Sequence, residues 1–322
     1  MRGIRWAGLL ALYVGAQVVA LALAFPFKTA GLATTSNPNS PTTPLYFIAV
    51  IVIAPLAILW AARRSGGLAA LRWIILIGIG ASLDITVTAT LALFTPTPFY
   101  LPPTGAGAVF DLSVPLGAMV SVGLFLTLLM EPQWYVVDAA GFIAGGSLIA
   151  LLGISFGILP VFILLGALAV YDAIAVYRTK HMISLADVVT DLKLPILMVM
   201  PGSRGFDYTR SGSLESQRAQ PVEEREALFM GLGDVVIPGT LVVSAFVWLP
   251  PTVIFPGVGA NLLAAVGALV GSLVGYAFLM SRVLKGNAQA GLPFLNGGAI
   301  AGYVIAYLLL YHSLTLGLSL SL

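Results

Sequence analysis

Nine stretches of the chain are apolar, almost without interruption, for about the 20 residues a helix needs to cross a bilayer. They run roughly Trp6–Phe25, Leu45–Ala62, Trp73–Phe94, Phe110–Met130, Trp134–Ile154, Ile158–Tyr177, Ala227–Leu249, Gly259–Ser281 and Pro293–Tyr311. They are too long and too continuous to be barrel strands, so the pattern predicts an all-α polytopic membrane protein. The joints Glu131-Pro132-Gln133 and Ser155-Phe156-Gly157 are very short, which predicts antiparallel neighbours among the fourth to sixth helices. Arg2 and Arg5 precede the first run, which ends in Ala22-Leu23-Ala24, the small-residue pattern of a signal-peptide cleavage site. A signal core is about 7–15 residues, and this run is longer, so the expectation is a retained span.

Composition agrees. Of 322 residues 59% are apolar, and only 15 Lys/Arg and 13 Asp/Glu carry charge. A soluble domain is about 25% charged, so a soluble globular enzyme is excluded, and so is disorder. Net charge is +2, which leaves no nucleic-acid footprint. With no Cys and only His181 and His312, neither a cysteine site nor a His-Glu-x-x-His zinc centre exists, and no metal or cofactor is expected. His181 reads as an interfacial loop residue and His312 as a helix end.

The basic residues orient the chain. Nine spans put Arg2 and Arg5 on the side of Arg63, Arg64, Arg72, Arg178, Lys180, Arg282, Lys285 and the five further basic residues of the long loop, and Lys28 alone falls on the other side. Fourteen against one predicts a cytoplasmic N-terminus and a C-terminus outside. Residues 178–226 hold half of all charges, seven of each sign. Within them 181–201 is half apolar and reads as lying along the membrane, and 202–226 is polar. The organisation is therefore one membrane domain over 1–322: spans one to six in 1–177, a cytoplasmic loop at 178–226, and spans seven to nine in 227–322. Glycines four apart (Gly141/Gly145, Gly153/Gly157, Gly267/Gly271/Gly275, Gly298/Gly302) predict close helix packing.

A carboxylate inside a span costs about 2.5–3.5 kcal/mol even on insertion scales, so each is a functional candidate. Asp111 and Asp138 lie near span ends and can reach an interface. Asp84 falls near mid-membrane, where an interhelical hydrogen bond is expected. Asp172 is six residues before Arg178, about 9 Å below the surface, and Asp234 eight residues after Glu226, about 12 Å down on the next helix. Two acids meeting at one level share one proton, as an aspartic protease needs. Depth alone leaves two separate acids or a proton relay equally open. Asp234 ends Gly231-Leu232-Gly233-Asp234, whose glycines clear space beside it. Gly291-Leu292-Pro293-Phe294-Leu295-Asn296-Gly297-Gly298 puts Pro and Gly about 12 Å from the same face, tolerated only beside a cavity or partner strand.

Tyr171-Asp172, Gly231-Leu232-Gly233-Asp234 and the Pro-x-Leu element at Pro293–Leu295, in order on spans six, seven and nine, resemble the presenilin and signal peptide peptidase family of intramembrane aspartyl proteases. The resemblance implies nine transmembrane helices in the presenilin-like arrangement, and Asp172 and Asp234 as the catalytic pair. Tyr171, Gly231, Leu232, Gly233, Pro293, Phe294 and Leu295 would shape the substrate site. The family's element is Pro-Ala-Leu, so Phe294 departs from it and would narrow the space beside the acids. The implied partners are transmembrane substrates in a lipid bilayer, with homo-oligomerisation left open. The competing class is an ion-coupled transporter or channel, with Asp84 as central site.

Overall fold

The computed structural model describes residues 2–62, 67–94, 99–100, 109–110, 112–179, 197–203, 205–208, 225–283 and 289–318. Nine α-helices occur among them: α1 Arg2–Thr29, α2 Thr42–Ala62, α3 Gly67–Phe94, α4 Ser113–Met130, α5 Trp134–Ser155, α6 Ile158–Ile174, α7 Leu232–Trp248, α8 Ala260–Val283 and α9 Leu292–Tyr311. Two-residue strands β1 (Phe99–Tyr100) and β2 (Val109–Phe110) precede α4. Strands β3 (Leu197–Pro201) and β4 (Ala227–Gly231) form an antiparallel hairpin, and β5 (Val253–Phe255) and β6 (Val258–Gly259) link α7 to α8.

Seven of the nine helices are long and apolar enough to cross a membrane, and α2 and α7 have shorter apolar windows. α7 is short for a reason. The seventh span, expected over Ala227–Leu249, divides at Gly231: Ala227–Gly231 is strand, and the helix starts at Leu232. Glycines at 231 and 233 weaken helix there, and pairing with β3 satisfies the backbone instead. Of the half-apolar stretch 181–201, residues 181–196 lie outside the described residues, and Leu197–Pro201 is the strand β3, with Met198 and Val199 buried.

α5 lies at the centre, packed on α1, α3 and α7. The fifth and sixth helices are not the packed pair expected from their short joint: α6 packs on α9, α2 and α7. The joint is drawn aside by neighbours. Gly157 N–H donates to Pro38 O at 2.7 Å, Ser244 Oγ of α7 to Phe156 O at 2.8 Å, and Trp248 Nε1 to Gly153 O at 3.0 Å. The tightest contact joins α8 to α9. A Cβ on Gly271 would overlap the Gly298 carbonyl, and one on Gly302 the Gly267 carbonyl. Val266, Val270, Val274 and Phe278 point outward from the other face of α8, as lipid-facing side chains must.

Candidate active site

α6 ends in a π-helical turn, Ala175–Thr179, just past Asp172. Such turns often mark functional sites. Asp172 is 5% exposed, and its Oδ2 accepts the Leu292 N–H at 3.0 Å, with the Gly291 N–H also directed at the carboxylate. The end of α6 grips the start of α9 further. Tyr177 Oη donates to Gln289 Oε1 at 3.0 Å and accepts from the Ala290 N–H at 3.3 Å, and Asn296 Nδ2 donates to Leu165 O at 2.9 Å. The N-terminal N–H groups of a helix have no internal partner, so a carboxylate is a natural cap.

Asp234 stands in the first turn of α7, not well inside a helix as the sequence implied, and the hairpin rather than a helical rise delivers it. Its carboxylate is held between glycines. A Cβ on Gly291 would lie 3.1 Å from Oδ1, and one on Gly231 3.4 Å from Oδ2. Asp172 is near enough to act on Asp234 electrostatically. Both acids thus converge on the Gly291–Leu292 turn. Beside them Gly233 is exposed, and beyond its own helix no atom of the described residues lies within 4 Å of where its Cβ would be. That open flank is where another backbone can approach.

The other expected site residues divide. Tyr171 adjoins Asp172 and is partly buried. Pro293 occupies the first turn of α9, where its missing N–H costs nothing. Leu295 is fully buried in the core. Phe294 is partly buried against that core, and its carbonyl faces Gly275 of α8. Leu232 packs on Gly145 of α5, where a Cβ would lie 2.8 Å from its Cδ1, so it supports the site from behind rather than lining the open flank.

Tyr13 and Tyr208 carried no sequence signal, while Asp138 and Asp84 depart from the expectations above. Tyr13 of α1 lies close to Asp234, near Gln17 and Ser272, with its ring 6.1 Å from that of Tyr276. Asp138, expected at an interface, is buried and accepts the Val199 N–H at 2.7 Å. Tyr208 sits beside it, its phenol pushed up to about 12 by burial and by the Asp138 charge. Asp84 corrects the other way. It is exposed on α3 and makes no hydrogen bond among the described residues. It follows Ile77 by seven residues, two turns along the outward face, so it cannot line a central ion site. Asp111 and His181 lie outside the described residues, and His312 ends α9 with φ 49°. Among the described residues no three His, Cys, Asp or Glu side chains group as a metal site.

Two acids on neighbouring helices thus stand beside an opened backbone. Residues 10–311 match the family described as signal-peptide peptidase, presenilin aspartyl protease, and the chain belongs to that family. It is similar to a presenilin family intramembrane aspartate protease solved in two crystal forms. One is 31% identical with a TM-score of 0.65, over 94% of this chain and 98% of that one. The other is 32% identical with a TM-score of 0.61, over 94% and 97%. No curated protein matches. The chain is thus a multi-pass intramembrane aspartyl protease, and the transporter reading is set aside.

Proposed function

We propose that Asp172 and Asp234 are the catalytic pair and hydrolyse peptide bonds within transmembrane helices of substrate proteins. The observation that carries this is their convergence on one turn of α9 beside the open flank of Gly233. The pair holds one proton between them. The ionised member takes a proton from water as it attacks the scissile carbonyl, and the protonated member donates to the carbonyl oxygen. Proton return to the leaving nitrogen then breaks the C–N bond. A helical substrate must unwind first, and pairing its strand with protein backbone offsets part of that cost. Gly231 and Gly233 leave room for that strand, while Tyr171, Pro293 and Phe294 border the space and the buried Leu295 backs it. Incubating detergent-purified protein with single-span peptides and reading product masses tests the activity. No cleavage by protein shown to be folded would reject it.

The basic asymmetry supports a cytoplasmic N-terminus and a cytoplasmic 178–226 loop in a single membrane domain, with the C-terminus outside. The sixth helix then runs inward and the seventh outward. Strand pairing is directional, so one substrate polarity is preferred. By the resemblance to presenilins these are spans with their N-termini outside, cut near their cytoplasmic ends. Reporter fusions within 202–226 should read cytoplasmic. Reversing a good substrate span should lower its cleavage, and equal cleavage both ways would reject the directional reading.

A further inference from the structure

Asp138 is a buried acid that the two-acid mechanism leaves unused. It sits five residues into α5, and its Oδ1 holds the Val199 N–H of β3 at 2.7 Å. The same strand is also held by α1, because Met200 lies against Gly8 so closely that a Cβ there would overlap it. β4 leads directly into Gly231, the residue before α7, and Asp234 follows three positions on. α5 therefore backs both the hairpin and the Asp234 helix.

The ladder reveals what this hydrogen bond does. Gly202 N–H donates to Glu226 O at 2.7 Å, so these two residues form a bonded pair. Bonded and non-bonded pairs alternate in an antiparallel ladder. Met200–Leu228 and Met198–Met230 are then bonded, while Pro201–Ala227, Val199–Phe229 and Leu197–Gly231 turn their backbone groups outward. The outward Val199 N–H agrees, since Asp138 takes it from outside the hairpin. On the β3 edge Pro201 has no N–H and that of Val199 is occupied, which leaves only the outward N–H of Leu197 at its far end. On the β4 edge the N–H groups of Ala227, Phe229 and Gly231 bond to nothing among the described residues.

We propose that Asp138 is a positioning residue: it pins Val199, blocks the middle of the β3 edge against further strands, and holds the hairpin in the register that presents Ala227, Phe229 and Gly231 beside Asp234. It thereby sets which peptide bond of an incoming strand meets the two acids. The inference rests on the catalytic reading of Asp172 and Asp234. A slip of two residues keeps the same side chains on the same face but moves the strand about 6.6 Å, which displaces the cut by two bonds.

The test compares the purified wild type with Asp138→Asn, Asp138→Ala and Val199→Pro on one single-span peptide. Product masses, kcat and KM, thermal midpoint, and amide exchange over 197–201 are read for each. The Asn carboxamide oxygen can still accept the bond, so Asp138→Asn should cut at wild-type positions with kcat/KM within about threefold. Asp138→Ala should spread the cuts by two residues, lower kcat/KM about 10- to 100-fold, and speed amide exchange over 197–201. Val199→Pro removes the donor on the outward side without breaking a ladder bond, and should reproduce the Ala pattern. If Asp138→Ala does not fold, Val199→Pro decides. Wild-type cut positions and kcat/KM in Val199→Pro would overturn the proposal, as would an Asn variant as impaired as the Ala variant. Failure of the catalytic reading is recognised separately, as turnover retained by Asp172→Asn or Asp234→Asn, and the exchange measurement does not depend on it.

Discussion

Asp172→Asn and Asp234→Asn are each expected to abolish cleavage of a single-span substrate while the protein still folds. General acid–base catalysis contributes about 10²–10⁴-fold, and here the same pair must also generate the nucleophile, so the loss is at least that large. Folding should survive because Asn is nearly isosteric. At position 172 its carboxamide oxygen can still accept the Leu292 N–H that Asp172 holds at 3.0 Å. Asn cannot take up a proton from water, and the remaining acid then has no partner with which to divide the two roles. By the same reasoning the wild-type rate should fall on both sides of an optimum. At low pH both acids are protonated and no base remains, and at high pH both are ionised and no acid remains, with apparent pKa values that belong to the pair. Single-turnover assays of each variant at several pH values check both expectations. Turnover by either variant would refute the shared role.

The helices were legible in the sequence because lipid permits little else. Each apolar run had to satisfy its backbone internally, and eight of the nine expected spans agree with helices to within a few residues. The ninth case, Ala227–Gly231, failed for the reason that makes the site work. An apolar run of five residues reads equally as helix or strand, and only the partner at Leu197–Pro201, some thirty residues earlier, decides it. Asp172 and Asp234 were legible because acids are rare in apolar helices. Their meeting place at Gly291–Leu292 was half legible: Gly and Pro marked the segment, but not the N–H groups that hold Asp172. Asp138 and Asp84 were read the wrong way round. Position along a helix says how deep a carboxylate lies but not which way it points, and in helices apolar on every side no polar face sets the phase. Asp138 therefore proved buried and bonded, and Asp84 exposed.

Substitutions of two glycines should separate what holds the site together from what leaves it open. Gly271 of α8 faces α9 so closely that a Cβ would overlap the Gly298 carbonyl and lie 2.8 Å from Gly302 Cα. Both are backbone atoms, so no rotamer change can relieve the clash and the helices must part. Overpacking of this kind costs about 1–3 kcal/mol, and Gly271→Val adds two further methyl groups. The damage should also reach the acids, because α9 begins at the turn that caps Asp172 and abuts Asp234. Gly271→Val is therefore expected to lower the thermal midpoint in detergent and to lose cleavage with it. Gly233 is the opposite case. Beyond its own helix nothing among the described residues lies within 4 Å of its Cβ position, and it stands in the first turn of α7, where Ala is the better helix former. Gly233→Ala should hold or raise the midpoint, yet lower kcat/KM by filling the space through which a substrate strand approaches Asp234. Thermal unfolding followed beside peptide cleavage distinguishes the two. Full activity in a stable Gly233→Ala protein would show that the strand enters from another side of the acids.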